Sequence, residues 1–386
     1  MFIANSWPTV GAGPLALARA QRAQTARVLL ETTSVPITAV AFASGFQSVR
    51  QFNATIQEVF AMTPSELRAR VRREGRAQDS GSLSLRLPYR SPLDHEGLID
   101  FLGVRAVSGI EEAADGVYRR SLRLPHGIGI VELRPGRGYI HARYRLQDLR
   151  DLNAAMTRSR ALLDLDSDPQ AVSAALGDDR LLGAMVRTTP GRRVPGHVDP
   201  HELAIRAVLG QQVSVRGAAT LARRLADVYG EQLERPLGGV TRVFPSVEAL
   251  ADADLAGLGM PGARLRCLSA LVAALAGGEI KLDAGSARAE TRRRLMALPG
   301  IGPWTTEYIA MRALRDPDAF LPSDLGVRRA LERLGSDGTS ATAESLSQNW
   351  RPYRAYAVQY LWASLDHTGR ATKTPLSASA PTRLAA

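Results

Sequence analysis

The residues best placed for chemistry lie between 289 and 324. Helical sequence, Glu290–Leu298, runs into Pro299-Gly300-Ile301-Gly302-Pro303 and resumes at Trp304-Thr305-Thr306-Glu307-Tyr308-Ile309-Ala310-Met311. The two glycines allow positive φ and close approach of another backbone. Pro303 opens the second helix, where its missing N–H is no loss. Free N–H groups at such a helix start can bind a phosphate without reading sequence, so Gly300, Gly302 and Thr305 are candidate contacts to a phosphodiester backbone; a plain connector between two helices is the other reading. Downstream comes Phe320-Leu-Pro-Ser-Asp324, with Asp324 in the first turn of an expected helix, Asp324–Leu334. A carboxylate there complements the helix dipole, which is reason enough for it; a catalytic acid is the alternative. Aromatic residues are 5% of the chain, yet Trp304 and Tyr308 both sit in this hairpin.

Composition narrows the partners. The 386 residues carry 49 Lys+Arg against 38 Asp+Glu, a formal charge of +11, which suits nucleic acid or another anionic surface. Cys267 is the one cysteine, so an intramolecular disulfide, a four-cysteine zinc site and a four-cysteine iron–sulfur cluster are excluded. Its apolar helical surroundings make it core filler. The six histidines show no metal-ligand spacing. No apolar run approaches the length of a membrane span, and the N-terminus lacks a secretory pattern, so a cytoplasmic protein without membrane contact is expected. Lysine occurs only at Lys281 and Lys373, which limits lysine chemistry.

These residues must be positioned by a multidomain, mainly α chain. Residues 1–13 read as a disordered leader and 14–75 as helical. The soft stretch 76–83 reads as a linker. From 84 to 197 short strands bounded by Gly or Pro (Ser84–Tyr89, Val117–Leu124, Ile128–Leu133, Tyr139–Tyr144) alternate with helical spacing at Pro92–Ala106 and Gln147–Leu163, giving a small α+β domain. Residues 198–367 read as helix almost throughout, and the Ser/Ala/Thr/Pro-rich 368–386 as a disordered tail.

Within the first segment, Ile37–Ser44, Gly45 and Val49–Phe60 form two helices around a glycine turn, with Ser48 as N-cap. Thr63-Pro64-Ser65-Glu66 is a capping box. A helical hairpin and a DNA-binding helix-turn-helix both fit; on the second reading Ser48, Arg50, Gln51 and Asn53 face DNA. The string Ile37-x3-Ala41-x3-Gly45-Phe46-x-Ser48-x3-Phe52-x7-Phe60-x-Met62-Thr63-Pro64 resembles the second helix-turn-helix of AraC-type regulators. Ala61 stands where that family usually has Gly, Leu67 where it has an aromatic, and only one of the family's two units is present. No cysteine precedes Cys267, so the methyl-accepting chemistry of Ada-type regulators is not expected.

The hairpin followed by Pro-Ser-Asp resembles the helix-hairpin-helix DNA glycosylases. Residues 84–366 resemble the AlkA-type 3-methyladenine DNA glycosylase II, through Asp100-Phe-Leu-Gly-Val-Arg-Ala-Val, Ile205-Arg-Ala-Val-Leu-Gly-Gln-Gln-Val-Ser214, Gly257-Leu-Gly-Met-Pro261, the hairpin, Phe320-Leu-Pro-Ser-Asp324 and Trp350-Arg-Pro-Tyr-Arg-Ala-Tyr-Ala357 leading to Trp362. The resemblance implies a TBP-like α+β domain before an all-α glycosylase domain. It also implies a monomeric base-excision enzyme that removes alkylated purines from duplex DNA, with Asp324 catalytic and Trp304, Tyr308, Trp362 and Phe101 around the base. Each of those aromatics could instead be core, Tyr308 and Phe101 more readily than Trp304 and Trp362. Gln212 maps to the wedge that replaces the flipped nucleotide, where the best-known relative has an apolar residue; Leu325 replaces a tyrosine of that relative. Trp304 occupies the position of the lysine nucleophile of strand-cleaving relatives, so a monofunctional glycosylase is expected. No cofactor is required, although the carbonyls of Met296, Leu298 and Ile301 would suit a monovalent cation. A regulator that binds DNA without catalysis, and an enzyme for oxidised or mismatched bases, are the competing readings.

Overall fold

The computed structural model describes residues 14–32, 35–72, 82–283 and 285–365. The expected leader 1–13 and tail 368–386 lie outside them, as does the linker 76–83 apart from Ser82 and Leu83. The first layer holds α1 (Pro14–Thr32), α2 (Ile37–Ala43), α3 (Val49–Phe60) and α4 (Pro64–Arg72). Its turns follow local chemistry. Gly45 takes φ +83° after α2, the Ser48 hydroxyl accepts the Gln51 N–H at 3.2 Å, and Thr63 and Glu66 cap each other's backbone N–H groups at 2.7 and 3.2 Å. Ala61 adopts φ +53° at the end of α3, the conformation a glycine there would take without strain.

The second layer is an antiparallel sheet in the order β1-β5-β4-β3-β2: β1 (Leu83–Pro88), β2 (Glu111–Ala114), β3 (Val117–Leu124), β4 (Gly127–Gly136) and β5 (Tyr139–Leu146). Helix α5 (His95–Val104) interrupts the strands, and α6 (Leu152–Leu162) follows them. Strand β1 alternates buried and exposed residues, and its buried side meets the first layer. Ala23, Leu29, Leu30, Phe52 and Ile56 belong to the same apolar core as Leu85, Leu87, Tyr118 and Tyr144.

The rest is helical: α7 (Pro169–Leu176), α8 (Gly183–Thr188), α9 (Pro200–Leu209), α10 (Val215–Tyr229), α11 (Val247–Ala251), α12 (Gly262–Ala276), α13 (Arg288–Ala297), α14 (Pro303–Arg312), α15 (Leu325–Arg333), α16 (Ser340–Ser347) and α17 (Arg354–Ala363). A second core surrounds α9, through Ile205 and Val208, with Leu268, Leu271, Ile309 and Leu361. Val172, Leu176, Leu182 and Val186, from the stretch read as part of the α+β domain, also pack there. The expectation of near-continuous helix after 198 is corrected by a two-stranded hairpin, β6 (Glu231–Leu237) and β7 (Val240–Val243). Glu231-Gln-Leu-Glu-Arg-Pro-Leu is mostly exposed and carries little apolar alternation, so the pairing came from tertiary context. Among the described residues no helix is long and apolar enough to cross a membrane.

The sheet and the helical core meet at buried charge. Arg120 pairs with Glu111 (3.0 Å) and Glu202 (2.7 Å), Arg206 pairs with the same two carboxylates (2.9 and 3.0 Å), and the Tyr118 hydroxyl donates to Glu111 at 2.6 Å. Glu111, His197 and Glu202 come close enough to hold a metal, a proximity invisible in the linear spacing. Two guanidiniums already supply the positive charge there. Burial, then Arg120 and Arg206, push the His197 pKa well below its ordinary value and keep the ring neutral. Arg120→Met would leave Glu111 and Glu202 to share Arg206 alone, one buried positive charge for two buried negative ones, and the expected loss is about 3–5 kcal/mol, read by urea unfolding. A loss under about 1 kcal/mol would mean that the pairs contribute little beyond filling space.

Candidate active site and DNA-facing surface

Asp324 is the N-cap of α15, one residue before its first turn, a small correction to the expected position. It is partly exposed, and its carboxylate accepts three N–H groups. Oδ1 takes Trp362 Nε1 at 2.8 Å and the Val327 N–H at 2.9 Å, and Oδ2 takes Trp304 Nε1 at 2.9 Å. The two indoles come from α14 and α17, so three helix segments aim the carboxylate. Tyr308 stacks on Trp304 (centroids 5.2 Å apart, 9° between planes), and Phe101 of α5 stacks on Trp362 (6.2 Å, 20°). Tyr308 and Trp362 are 6.5 Å apart and tilted by 47°. The four aromatics named from sequence and Asp324 are therefore brought together, from four separate segments.

Glycine makes the carboxylate's contact possible. A Cβ on Gly326 would lie 2.9 Å from Trp362 Cδ1 and 3.0 Å from both Trp362 Nε1 and Asp324 Oδ1. Only a bare backbone lets that indole reach the acid.

Two arginines, unread in the sequence, complete the cluster. Arg105 lies 3.7 Å over the Phe101 ring, and Arg312 donates to the Tyr308 hydroxyl at 2.9 Å. Each stands four residues after its aromatic, Phe101/Arg105 and Tyr308/Arg312, a helix-face spacing that was legible. Arg312 is anchored by the carbonyls of Pro195 (2.8 Å) and Gly196 (2.9 Å). Arg206 of the buried charge cluster donates to the Arg105 carbonyl at 2.6 Å, tying the end of α5 to the pocket. Burial lowers the Arg105 pKa to about 10, leaving it charged at neutral pH. Burial opposes ionisation of Tyr308, but the Arg312 and Arg105 guanidiniums outweigh it and set its pKa below the ordinary phenol value.

The hairpin is close by. Gly300 takes φ +82°, and a Cβ there would meet Cys267 Cβ at 3.0 Å and Sγ at 3.2 Å; the buried cysteine packs directly under the turn. Gly302 is the N-cap of α14. The N–H groups of Trp304 and Thr305 have no acceptor among the described residues. The Thr305 side chain is buried, its hydroxyl accepting Gln211 Nε2 at 3.1 Å. Gln211 also donates to the Gly300 carbonyl at 3.0 Å, joining the hairpin to the turn that carries Gln212. Gln212 is exposed at φ +55°, a strained conformation for a residue with a side chain. Val213, Val215, Met296 and Leu325 are also exposed, an apolar fringe around the hairpin and the acid. The Leu298 carbonyl, one of the three suggested for a cation, already accepts the Ile301 N–H at 3.2 Å.

In the first layer Arg50, Gln51 and Asn53 are exposed on α3; Ser48 is exposed too, but its hydroxyl is engaged in capping.

Comparison with known sequences agrees with this architecture. Residues 9–70 match the profile of a helix-turn-helix domain, 84–199 that of the AlkA N-terminal domain, and 205–354 that of the HhH-GPD superfamily of base excision DNA repair proteins. The chain is 51% identical over 360 residues to a probable bifunctional transcriptional activator/DNA repair enzyme AlkA of Mycobacterium tuberculosis, covering 93% of this chain and 73% of that one. It is 34% identical over 281 residues to DNA-3-methyladenine glycosylase 2 of Escherichia coli, covering 72% and 95%. Among solved structures, a 3-methyladenine DNA-glycosylase from Archaeoglobus fulgidus shares the fold, with a TM-score of 0.63 at 22% identity over 72% of this chain and 96% of that one. The fold is that of helix-hairpin-helix base-excision repair proteins, and the chain belongs among them to the AlkA family of DNA-3-methyladenine glycosylases.

Proposed function

We propose that this chain is a monofunctional glycosylase that releases alkylated purines, of the 3-methyladenine and 7-methylguanine type, from duplex DNA. One observation carries the reading: a partly exposed carboxylate, aimed by two indole N–H groups, borders a cluster of four aromatic rings. A flipped cationic purine gains stacking and cation–π attraction there, on the order of 0.5–2 kcal/mol per ring. As its glycosidic bond breaks, positive charge develops on the sugar. Asp324 stabilises that charge and orients the water that attacks C1′. Trp304 stands where a Schiff-base lysine would be needed, so the strand is left intact. The test is chromatography of bases freed from methylated DNA, together with a gel for strand breaks. Breaks without added lyase, or no free methylpurine, would refute the reading.

The surroundings fit this chemistry. The unpaired N–H groups at the start of α14 would hold a phosphate, and no cofactor is needed. The hairpin carbonyls of Met296, Leu298 and Ile301 would hold a monovalent cation as a structural aid, with Leu298 the weakest of the three because its lone pair is already shared. Gln212 would fill the gap left by the flipped nucleotide. Gln212→Gly removes the side chain and relieves the positive φ, so the two effects should separate: unchanged or higher thermal stability, and affinity for abasic-site DNA lower by about tenfold, some 1.4 kcal/mol. Equal affinity would remove Gln212 from the wedge role. Ser48, Arg50, Gln51 and Asn53 on the helix-turn-helix would give the same chain a second hold on DNA. The protein would act as a monomer in the cytoplasm, on the nucleoid.

A further inference from the structure

We propose that the outer face of the five-stranded sheet, together with the β6–β7 hairpin, binds a single strand of nucleic acid. The site lies on different elements from the base pocket and does not rest on the chemistry proposed there.

Strand pairing decides what this face carries. Arg86 of β1 and Arg134 of β4 flank His141 of β5, and Ile130 pairs with Arg145. Ile140, Ala142 and Tyr144 point into the core, so Tyr139, His141, Arg143 and Arg145 line up on the opposite face. The row is about 20 Å long, at about 3.3 Å per residue. The acids beside it are already engaged: Arg119 binds Glu112 at 2.9 Å and Glu132 at 2.6 Å. Arg86, Arg134 and Arg145 have no carboxylate partner among the described residues. Arg86 lies 4.8 Å over the Tyr139 ring, which meets His141 edge-on at 4.6 Å, and both rings are half-buried.

Past Arg143 the row runs into a cavity of about 630 Å³ between the sheet and β6. Arg143, Arg145 and Arg235 line it, with Glu234 its one carboxylate. Arg235 has no partner among the described residues, whereas Arg143 donates to the Ser82 hydroxyl at 3.1 Å. The Gln147 side-chain carbonyl accepts the Ile128 N–H at 2.7 Å, which leaves its NH₂ as a donor. Ile128 and Ile130 lie on the cavity wall, 7% and 4% exposed, yet they belong to neither apolar core.

Guanidiniums above an apolar patch suit a ligand that joins anionic phosphates to flat apolar bases. The volume is within the range of small-ligand pockets, about 300–1,000 Å³, and admits a nucleotide or two but not the paired backbones of a duplex. The rings at the other end of the row offer faces on which an unpaired base stacks. A few nucleotides of one strand therefore match the whole row, with phosphates on Arg86, Arg134, Arg145 and Arg235, one base at Tyr139 and another over the isoleucines. A free nucleotide would use the cavity alone and leave the outer arginines and rings without a role.

The test is fluorescence anisotropy of the full chain with a labelled oligothymidylate of about twelve nucleotides, in saturating unlabelled duplex that occupies the hairpin. Wild type should still bind the strand, with log Kd rising with log salt. Arg145→Ala/Arg235→Ala should weaken binding about tenfold and flatten that slope by about 1.4, roughly 0.7 for each phosphate contact. Arg235 is exposed, so Arg235→Ala alone, flatter by about 0.7, gives the answer should the double variant fail to melt like wild type. Iodouracil in the strand should cross-link on irradiation to the β5 peptide that holds Tyr139. Complete displacement of the strand by duplex overturns the proposal, and so does a slope unchanged in Arg235→Ala or adducts confined to other peptides. Displacement by dTMP at the strand's own concentration also overturns it, in favour of a mononucleotide pocket.

Discussion

Asp324→Asn is expected to lower the rate of methylpurine release by about 10³-fold, near 4 kcal/mol of transition-state stabilisation, while leaving the fold intact. The fold survives because asparagine caps a helix as well as aspartate does. The rate falls for two reasons. The negative charge proposed to face the sugar is lost, and the new amide carries an NH₂ where an oxygen now accepts an indole N–H. Two donors then face each other, so the side chain must turn away from Trp304 or Trp362. Single-turnover release from methylated duplex, beside a thermal melt, measures both effects. A variant within tenfold of wild type would show that the carboxylate is only a helix cap.

Gly326→Ala should separate stability from activity in the opposite sense to ordinary helix engineering. Gly326 lies in the first turn of α15, where alanine is normally worth up to about 1 kcal/mol. Here the new methyl would press on Trp362 and Asp324 at 2.9–3.0 Å. The indole must move by some tenths of an ångström, and it is the donor to Oδ1. Displacements of about 1 Å in a reacting constellation cost on the order of 10²-fold, so a loss of roughly 10- to 100-fold is expected with little change in melting temperature. Retained activity would mean that Trp362 repacks freely and that its bond to the acid is incidental.

What was legible in the sequence was local. Gly45, the Ser48 cap, the Thr63/Glu66 capping box and the Gly300/Gly302 turn are short-range devices, and each could be read in the linear order because its partners lie within a few residues. The gathering of Phe101, Trp304, Tyr308 and Trp362 around Asp324 was expected only through resemblance, since no spacing rule connects position 101 to 362. The rest depended on contacts that topology alone creates. Gln211 reaches Gly300 and Thr305 across some ninety residues. Arg120 joins Glu111 to Glu202 between two layers. Gly326 looked like an indifferent residue in a helix until Trp362 was seen against it. Arg105 and Arg312 follow Phe101 and Tyr308 at the helical period, but nothing in the linear order marks which aromatic–arginine pairs share a pocket.

The first layer is not a tethered accessory. Phe52 of α3 and Leu85 of β1 lie in one continuous interior, so the helix-turn-helix is seated on the sheet rather than strung beside it. On the proposed function, a duplex held at Arg50 and Asn53 would therefore arrive at a set bearing relative to the hairpin, and the stretch inspected for damage would be chosen by the shape of the protein.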